Sequence, residues 1–183
     1  QEARFKVART SYFKGDFEWA QVQLDVLKKS ASQLIANDAM QLSLMIQDNS
    51  LEDSTQTALK KFATADLRAL QNKNVEAITL LKDILTNHKG EEIEDEALLK
   101  MGMIYEKLNQ FENAEAQYLK LIELYKEDIL ADDAHFKLAK LYETYLGQPE
   151  KAKELYEQII FNFQDSIYFV EARKRYRMLR GDE

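Results

Sequence analysis

Three observations predict an all-α protein, a solenoid of antiparallel helix pairs. A pattern of small and aromatic residues occurs twice, apolar residues recur three and four apart along the segments, and helix breakers are scarce, with 5 Gly and 1 Pro in 183 residues. The repetition is clearest when Ala97–Tyr105 is laid on Ala134–Tyr142, where Met101, Gly102, Ile104 and Tyr105 meet Leu138, Ala139, Leu141 and Tyr142. A second match follows each: Phe111, Ala114, Tyr118 and Leu121 in one copy, Ala152, Tyr156 and Ile159 in the other. Such spacing lines one helix face, and the small residue within it lets a partner helix approach closely.

Taken in order, residues 2–28 make a first pair, with Phe5, Val7, Ala8 and Tyr12 on its first helix and Phe17, Ala20, Leu24 and Leu27 on its second. Between them Gly15 supplies a left-handed residue and Asp16 a capping carboxylate. Trp19, beside the small Ala20, reads as an aromatic covering the repeat edge. Gln33–Gln47 gives a third helix through Leu34, Ile35, Ala39, Leu42, Leu44, Met45 and Ile46, ended by Asp48-Asn49-Ser50. A capping box at Asp53–Gln56 then opens a long helix to Gln71, so that 33–72 reads as irregular helices. Ala77, Leu81 and Ile84 complete a degenerate repeat over 58–87 and leave the third helix without a partner. The array is expected to be interrupted there, with 48–57 its weakest point. Full repeats follow over 95–126 and 132–163, preceded by acidic linkers at Gly90–Asp95 and Glu127–Asp133. In the last repeat Gly147-Gln148-Pro149 makes the turn, with Pro149 at the first helical position. Residues 166–180 form a capping helix with Phe169, Ala172, Tyr176 and Leu179 on one face and Arg173, Lys174, Arg175, Arg177 and Arg180 elsewhere. The total is ten helices in a single array over 1–183.

Composition narrows the function. Lys+Arg at 25 against Asp+Glu at 32 gives a net charge of −7, which repels phosphate backbones, so no nucleic-acid partner is expected. The absence of Cys removes disulfides and thiolate chemistry. No apolar run reaches transmembrane length, and no signal segment opens the chain. The chain starts at Gln1 within a helical pattern, which reads as a product of processing or a part of something longer.

The order large, small, aromatic on the first helix of each pair (helix A), then alanine, aromatic, aliphatic on the second (helix B), resembles the tetratricopeptide repeat. The likeness is good over Asp95–Asn162 and fair over Glu2–Lys28. Ala77, Ala114 and Ala152 recur at a period slightly longer than the family's 34. These long linkers, and an ending in which Asp165-Ser166-Ile167-Tyr168 precedes Glu171-Ala172-Arg173-Lys174-Arg175, are similar to bacterial envelope members of the barrel-assembly lipoprotein and Tol-Pal cell-division coordinator type. The resemblance implies a right-handed α-α superhelix, a periplasmic or envelope location over a cytoplasmic one, and a non-catalytic scaffold that binds a partner segment in a concave groove lined by helix A. Carried over by position, the groove set is Phe5, Arg9, Tyr12, Phe62, Asp66, Glu96, Leu99, Met103, Glu106, Asp133, Phe136, Lys140 and Glu143. Phe5, Phe62, Leu99 and Phe136 take equivalent places. Chaperone-binding members hold a terminal carboxylate with Lys and Asn at such places; no Asn stands there, so no carboxylate clamp is expected. Affinity is expected from Phe62, Leu99, Met103 and Phe136, with Glu96, Glu106, Asp133 and Glu143 selecting a partner that is basic as well as apolar. Two alternatives stay open: Leu99 and Phe136 pack between adjacent A helices, or the chain is a spacer or self-association module of a larger envelope protein.

Catalysis needs convergent groups, and few are present. His88, at a helix end beside Lys89 and Gly90, is placed to bond the last carbonyls, and His135 stands in the first turn of a helix; neither has a second ligand at metal-site spacing. Glu91-Glu92, Glu94-Asp95-Glu96 and Asp132-Asp133 read as helix-start carboxylates. No enzyme activity, metal or cofactor is expected.

Overall fold

The computed structural model describes residues 1–30, 32–50 and 56–182. Among them are ten helices and no strand: α1 (Glu2–Phe13), α2 (Phe17–Ser30), α3 (Gln33–Asp48), α4 (Thr57–Leu70), α5 (Asn74–Asn87), α6 (Ile93–Lys107), α7 (Phe111–Leu124), α8 (Ala131–Thr144), α9 (Pro149–Asn162) and α10 (Phe169–Arg180). The chain divides into two compact units, Gln1–Ala97 and Leu98–Glu183, the boundary falling inside α6.

In the first unit α1 packs on α2 and α4 on α5, each pair joined by a tight turn. Ala8 and Tyr12 meet Ala20, Leu24 and Leu27 in one core; Leu59, Phe62 and Ala63 join Ala77, Leu81 and Ile84 in the other, all within 3% of full burial. The helix read as lacking a partner, α3, lies along α2. It does so through Ala39, Ser43 and Ile46, with Ser43 Oγ donating to Gln21 Oε1 at 2.6 Å and accepting from Lys28 Nζ at 3.0 Å. The turn after α1 reaches the first turn of α4, where an added Cβ on Gly15 would stand 3.2 Å from Lys60 Cγ. Of the expected capping box, Asp53, Ser54 and Thr55 lie outside the described residues, as does much of the stretch 48–57; α4 begins at Thr57 after Gln56 in a left-handed conformation (φ 52°).

One device makes every turn between paired helices. Gly15, Asn72, Asn109 and Gly147 all have φ between 55° and 75° and stand the same distance ahead of Ala20, Ala77, Ala114 and Ala152. In the first three turns the next residue donates its N–H back into the helix, as Asp16 to Ser11, Lys73 to Arg68 and Gln110 to Tyr105, which is how a left-handed residue closes a helix. Asn tolerates that backbone better than other non-glycine residues.

In the second unit α7 packs on α8, α8 on α9 and α9 on α10. Tyr118, Leu121, Ala134, Leu138, Ala139, Leu141, Ala152, Tyr156, Ile159 and Ala172 are fully buried. Gly102 brings helices together: a Cβ there would fall 2.3 Å from the Tyr118 ring. Pro149 opens α9 at its first position, where its missing N–H costs nothing.

Some boundaries differ from those read in sequence; α8, for one, begins at Ala131, inside the linker read as Glu127–Asp133. The closing helix does not begin at Ser166, because Ser166 Oγ accepts the Tyr168 N–H at 3.0 Å and Ser166 O accepts that of Phe169; this turn delays α10 to Phe169. Nor is Gly90–Asp95 all linker. Glu94 and Asp95 are buried in the first turn of α6, Glu94 Oε2 accepting the Gly90 N–H and Asp95 Oδ1 the Glu96 N–H. Carboxylates there satisfy donors that a helix start leaves open.

Candidate functional site

The A-helix face is the candidate site. In the first unit the structure divides its predicted residues sharply. Tyr12 and Phe62 are in the core, at 0% and 3% exposure, so neither presents a ring to a partner. Both belong to helices packed on more than one neighbour, which widens the buried arc. Phe5, Arg9, Asp66 and Glu96 are half-buried. Arg9 lies over the Phe13 ring, 5.2 Å from its centroid. The Tyr12 hydroxyl is buried with no hydrogen-bond partner. Burial, and then the charges of Asp66 and Glu96, hold its phenol well above the ordinary value.

In the second unit Leu99 is buried in the core. Phe136 is half-buried beneath Tyr168, their rings stacked with centroids 4.4 Å apart. Met103 is open to solvent, as is Lys140, which stands at the equivalent place one repeat on, with its Nζ 6.0 Å from the Phe136 centroid.

The acids expected to meet a basic partner are already engaged. Tyr118 donates its hydroxyl to Glu106, Tyr156 to Glu143 at 2.7 Å, and Tyr168 to Asp133 at 2.6 Å. Glu143 also holds Arg175 through both oxygens, at 3.0 and 3.1 Å. Burial opposes the charge on Arg175, but the bonds to and charge of Glu143, with Tyr156 and Glu171, together outweigh it and raise the pKa of the guanidinium. Burial raises the Asp133 carboxyl, and the Tyr168 hydrogen bond offsets that only in part. Sequence pattern marked these acids as facing outward without revealing the phenols that reach them, from the next helix for Glu106 and Glu143 and from the loop before α10 for Asp133.

Both imidazoles serve the fold. His88 bonds the last turn of α5 through its backbone N–H, on Ile84 O at 2.9 Å, while its imidazole turns elsewhere: Nδ1 meets Glu91 Oε1 at 2.8 Å and Nε2 meets Lys61 Nζ at 3.1 Å. His135 is buried, with Nδ1 on the Ala131 carbonyl at 2.6 Å and Nε2 on Gln158 Oε1 at 2.9 Å. Among the described residues no three His, Cys, Asp or Glu gather as a metal site, and no helix is long and apolar enough to cross a membrane. An open depression of about 1010 Å³ not foreseen in the sequence lies beside His135, between the loops that precede α8 and α10, rimmed by Glu127, Asp128, Asp132 and Asp165.

Residues 95–128 and residues 133–166 each match the family model described as a tetratricopeptide repeat. No curated protein matches the chain. The matched segments coincide with the helix pairs in which Gly102 faces Tyr118 and Ala139 and Tyr156 share a core. Over 95–128 and 133–166 the chain is therefore similar to the tetratricopeptide repeat.

Proposed function

We propose that this chain is a non-catalytic scaffold that binds a protein segment on its A-helix face, with Met103 and Lys140 as the contacts of the second unit. Tetratricopeptide repeats generally mediate protein–protein interaction, which supports the class of function. The observation that carries the choice of residues is that Met103 and Lys140 are exposed at equivalent places, while their neighbours Leu99, Glu106 and Glu143 are spent on packing or internal hydrogen bonds. Phe5 and Arg9 offer a half-buried counterpart in the first unit. The partner is apolar first. Its basic character fits the charge of Glu96 and that of Glu106 and Asp133, which a phenol hydrogen bond does not neutralise, whereas Arg175 offsets the charge of Glu143. An exposed ion pair contributes about 0 to 1 kcal/mol, so salt weakens binding only modestly.

A photo-crosslinking residue placed at 103 or at 140 should capture a partner that the same residue at the exposed Leu124, on α7, does not. Met103→Asp combined with Lys140→Glu should abolish capture while the melting temperature stays within about 4 °C, since surface substitutions change stability little. Equal capture from 124 would sink the assignment of the face.

A further inference from the structure

We propose that α2 pairs with α2 of a second copy of this chain, antiparallel about a two-fold axis, through Trp19, Val22 and Val26. These residues share one stripe of the helix and are 55%, 53% and 52% exposed, while Ala20, Leu24 and Leu27 carry the packing on α1 from the opposite side. The protein contains its own control. When the B helices are aligned on the buried Ala20, Ala77, Ala114 and Ala152, the place of Trp19 is taken by Glu76, Asn113 and Lys151. Thr79, Ala116 and Glu154 take that of Val22; Asp83, Lys120 and Gln158 take that of Val26. Three helices leave this face polar or small. Only α2 makes it a tryptophan and two valines, a grouping that water disfavours and a docked helix favours.

The charges of α2 specify the occupant. Asp16 and Glu18 mark its N-terminal end and Lys28 and Lys29 its C-terminal end, Lys28 held inward by Asp25 at 2.7 Å and by Ser43. A parallel copy would set like charges against each other at both ends. An antiparallel copy sets acid against base at both, and it opposes the helix dipoles. In that register Val22 of each copy rests on Val26 of the other. The Lys29 stem then reaches Glu18 and lays its ammonium over the Trp19 ring of the second copy. The contact is the same patch on both copies, so it closes as a dimer and does not propagate.

The test is sedimentation velocity of the whole chain over a wide concentration range, read together with tryptophan emission. Trp19 is the only tryptophan, so its emission reports this interface alone. The expected result is a monomer–dimer equilibrium in which emission shifts to the blue as the dimer fills. Val22→Asp should raise the dissociation constant at least about tenfold, as loss of a buried valine from each copy requires. Glu18→Lys and Lys29→Glu should each weaken the dimer, and the two together should restore it. A chain that stays monomeric, including one whose stripe takes a foreign protein instead, overturns the proposal. So does a dimer with unmoved Trp19 emission. Should Val22→Asp lose helical circular dichroism, the wild-type emission curve and the Glu18/Lys29 exchange decide the matter without it. None of these readings depends on the A-helix face.

Discussion

A phenol donating to a carboxylate recurs through the second unit. Besides Tyr118–Glu106, Tyr156–Glu143 and Tyr168–Asp133, Tyr142 reaches Glu115 at 2.6 Å and Tyr176 reaches Glu157 at 2.8 Å. Each bond lets a large ring enter the packing while its hydroxyl stays satisfied at the rim. Asp133 bears a cost in this arrangement, because burial raises its carboxyl above the usual value. The folded state therefore binds the Asp133 proton more tightly than the unfolded state, and the stability this residue contributes falls as pH rises through that window. Asp133→Asn keeps an oxygen for the Tyr168 hydroxyl and removes the charge. Its melting temperature relative to the wild type should climb as pH rises above about 4. A difference that stays flat with pH would show that the carboxylate is not penalised.

At the scale of one helix against the next, Gly102 carries the closest approach. A methyl there meets the fully buried Tyr118 ring at 2.3 Å, and that ring is pinned by its bond to Glu106. Gly102→Ala should lower stability by about 1–3 kcal/mol through overpacking, measured by denaturant unfolding. Ala139 holds the equivalent place with Tyr156, so that repeat already accommodates a methyl, and Ala139→Gly should cost only about 0.5–1 kcal/mol. Helix order, the pairing of A with B and the small residue between them were legible because apolar spacing is a local signal. The face of helix A was less so. Its buried arc in α6 takes in Ala97, Leu98, Leu99, Met101, Ile104 and Tyr105, wider than a one-sided amphipathic helix shows, so that Leu99, which the family pattern assigns to the groove, falls inside it. Asn72 and Asn109 also passed unnoticed as left-handed residues, although Gly15 beside its turn did not. Tyrosine hydroxyl partners are chosen by the fold across helices, and nothing in the spacing along one helix names them.

Over the whole molecule the phenols set an alkaline limit. Burial first, then the hydrogen bond to and charge of the partner carboxylate, raise Tyr118, Tyr142, Tyr156 and Tyr168 above the ordinary tyrosine value of 10.0; Tyr12 is raised by burial and by the nearby acids. Folded-state values above unfolded ones mean that this contribution is fully present below about pH 10 and is lost as pH rises beyond it. The melting temperature should fall steeply above pH 10. Tyr118→Phe with Tyr156→Phe should lower stability at neutral pH by about 1–2 kcal/mol per lost bond and make the alkaline fall shallower. An unchanged alkaline slope in that variant would mean other groups govern it. The same burial has an optical consequence. Phenolate absorbs where phenol does not, yet the fully buried rings of Tyr12, Tyr118 and Tyr156 resist ionisation at moderate alkalinity while the helices stay closed. Absorbance after a jump to high pH would then rise in two steps, instantly for surface tyrosines and slowly for these, the slow step clocking how often the core opens.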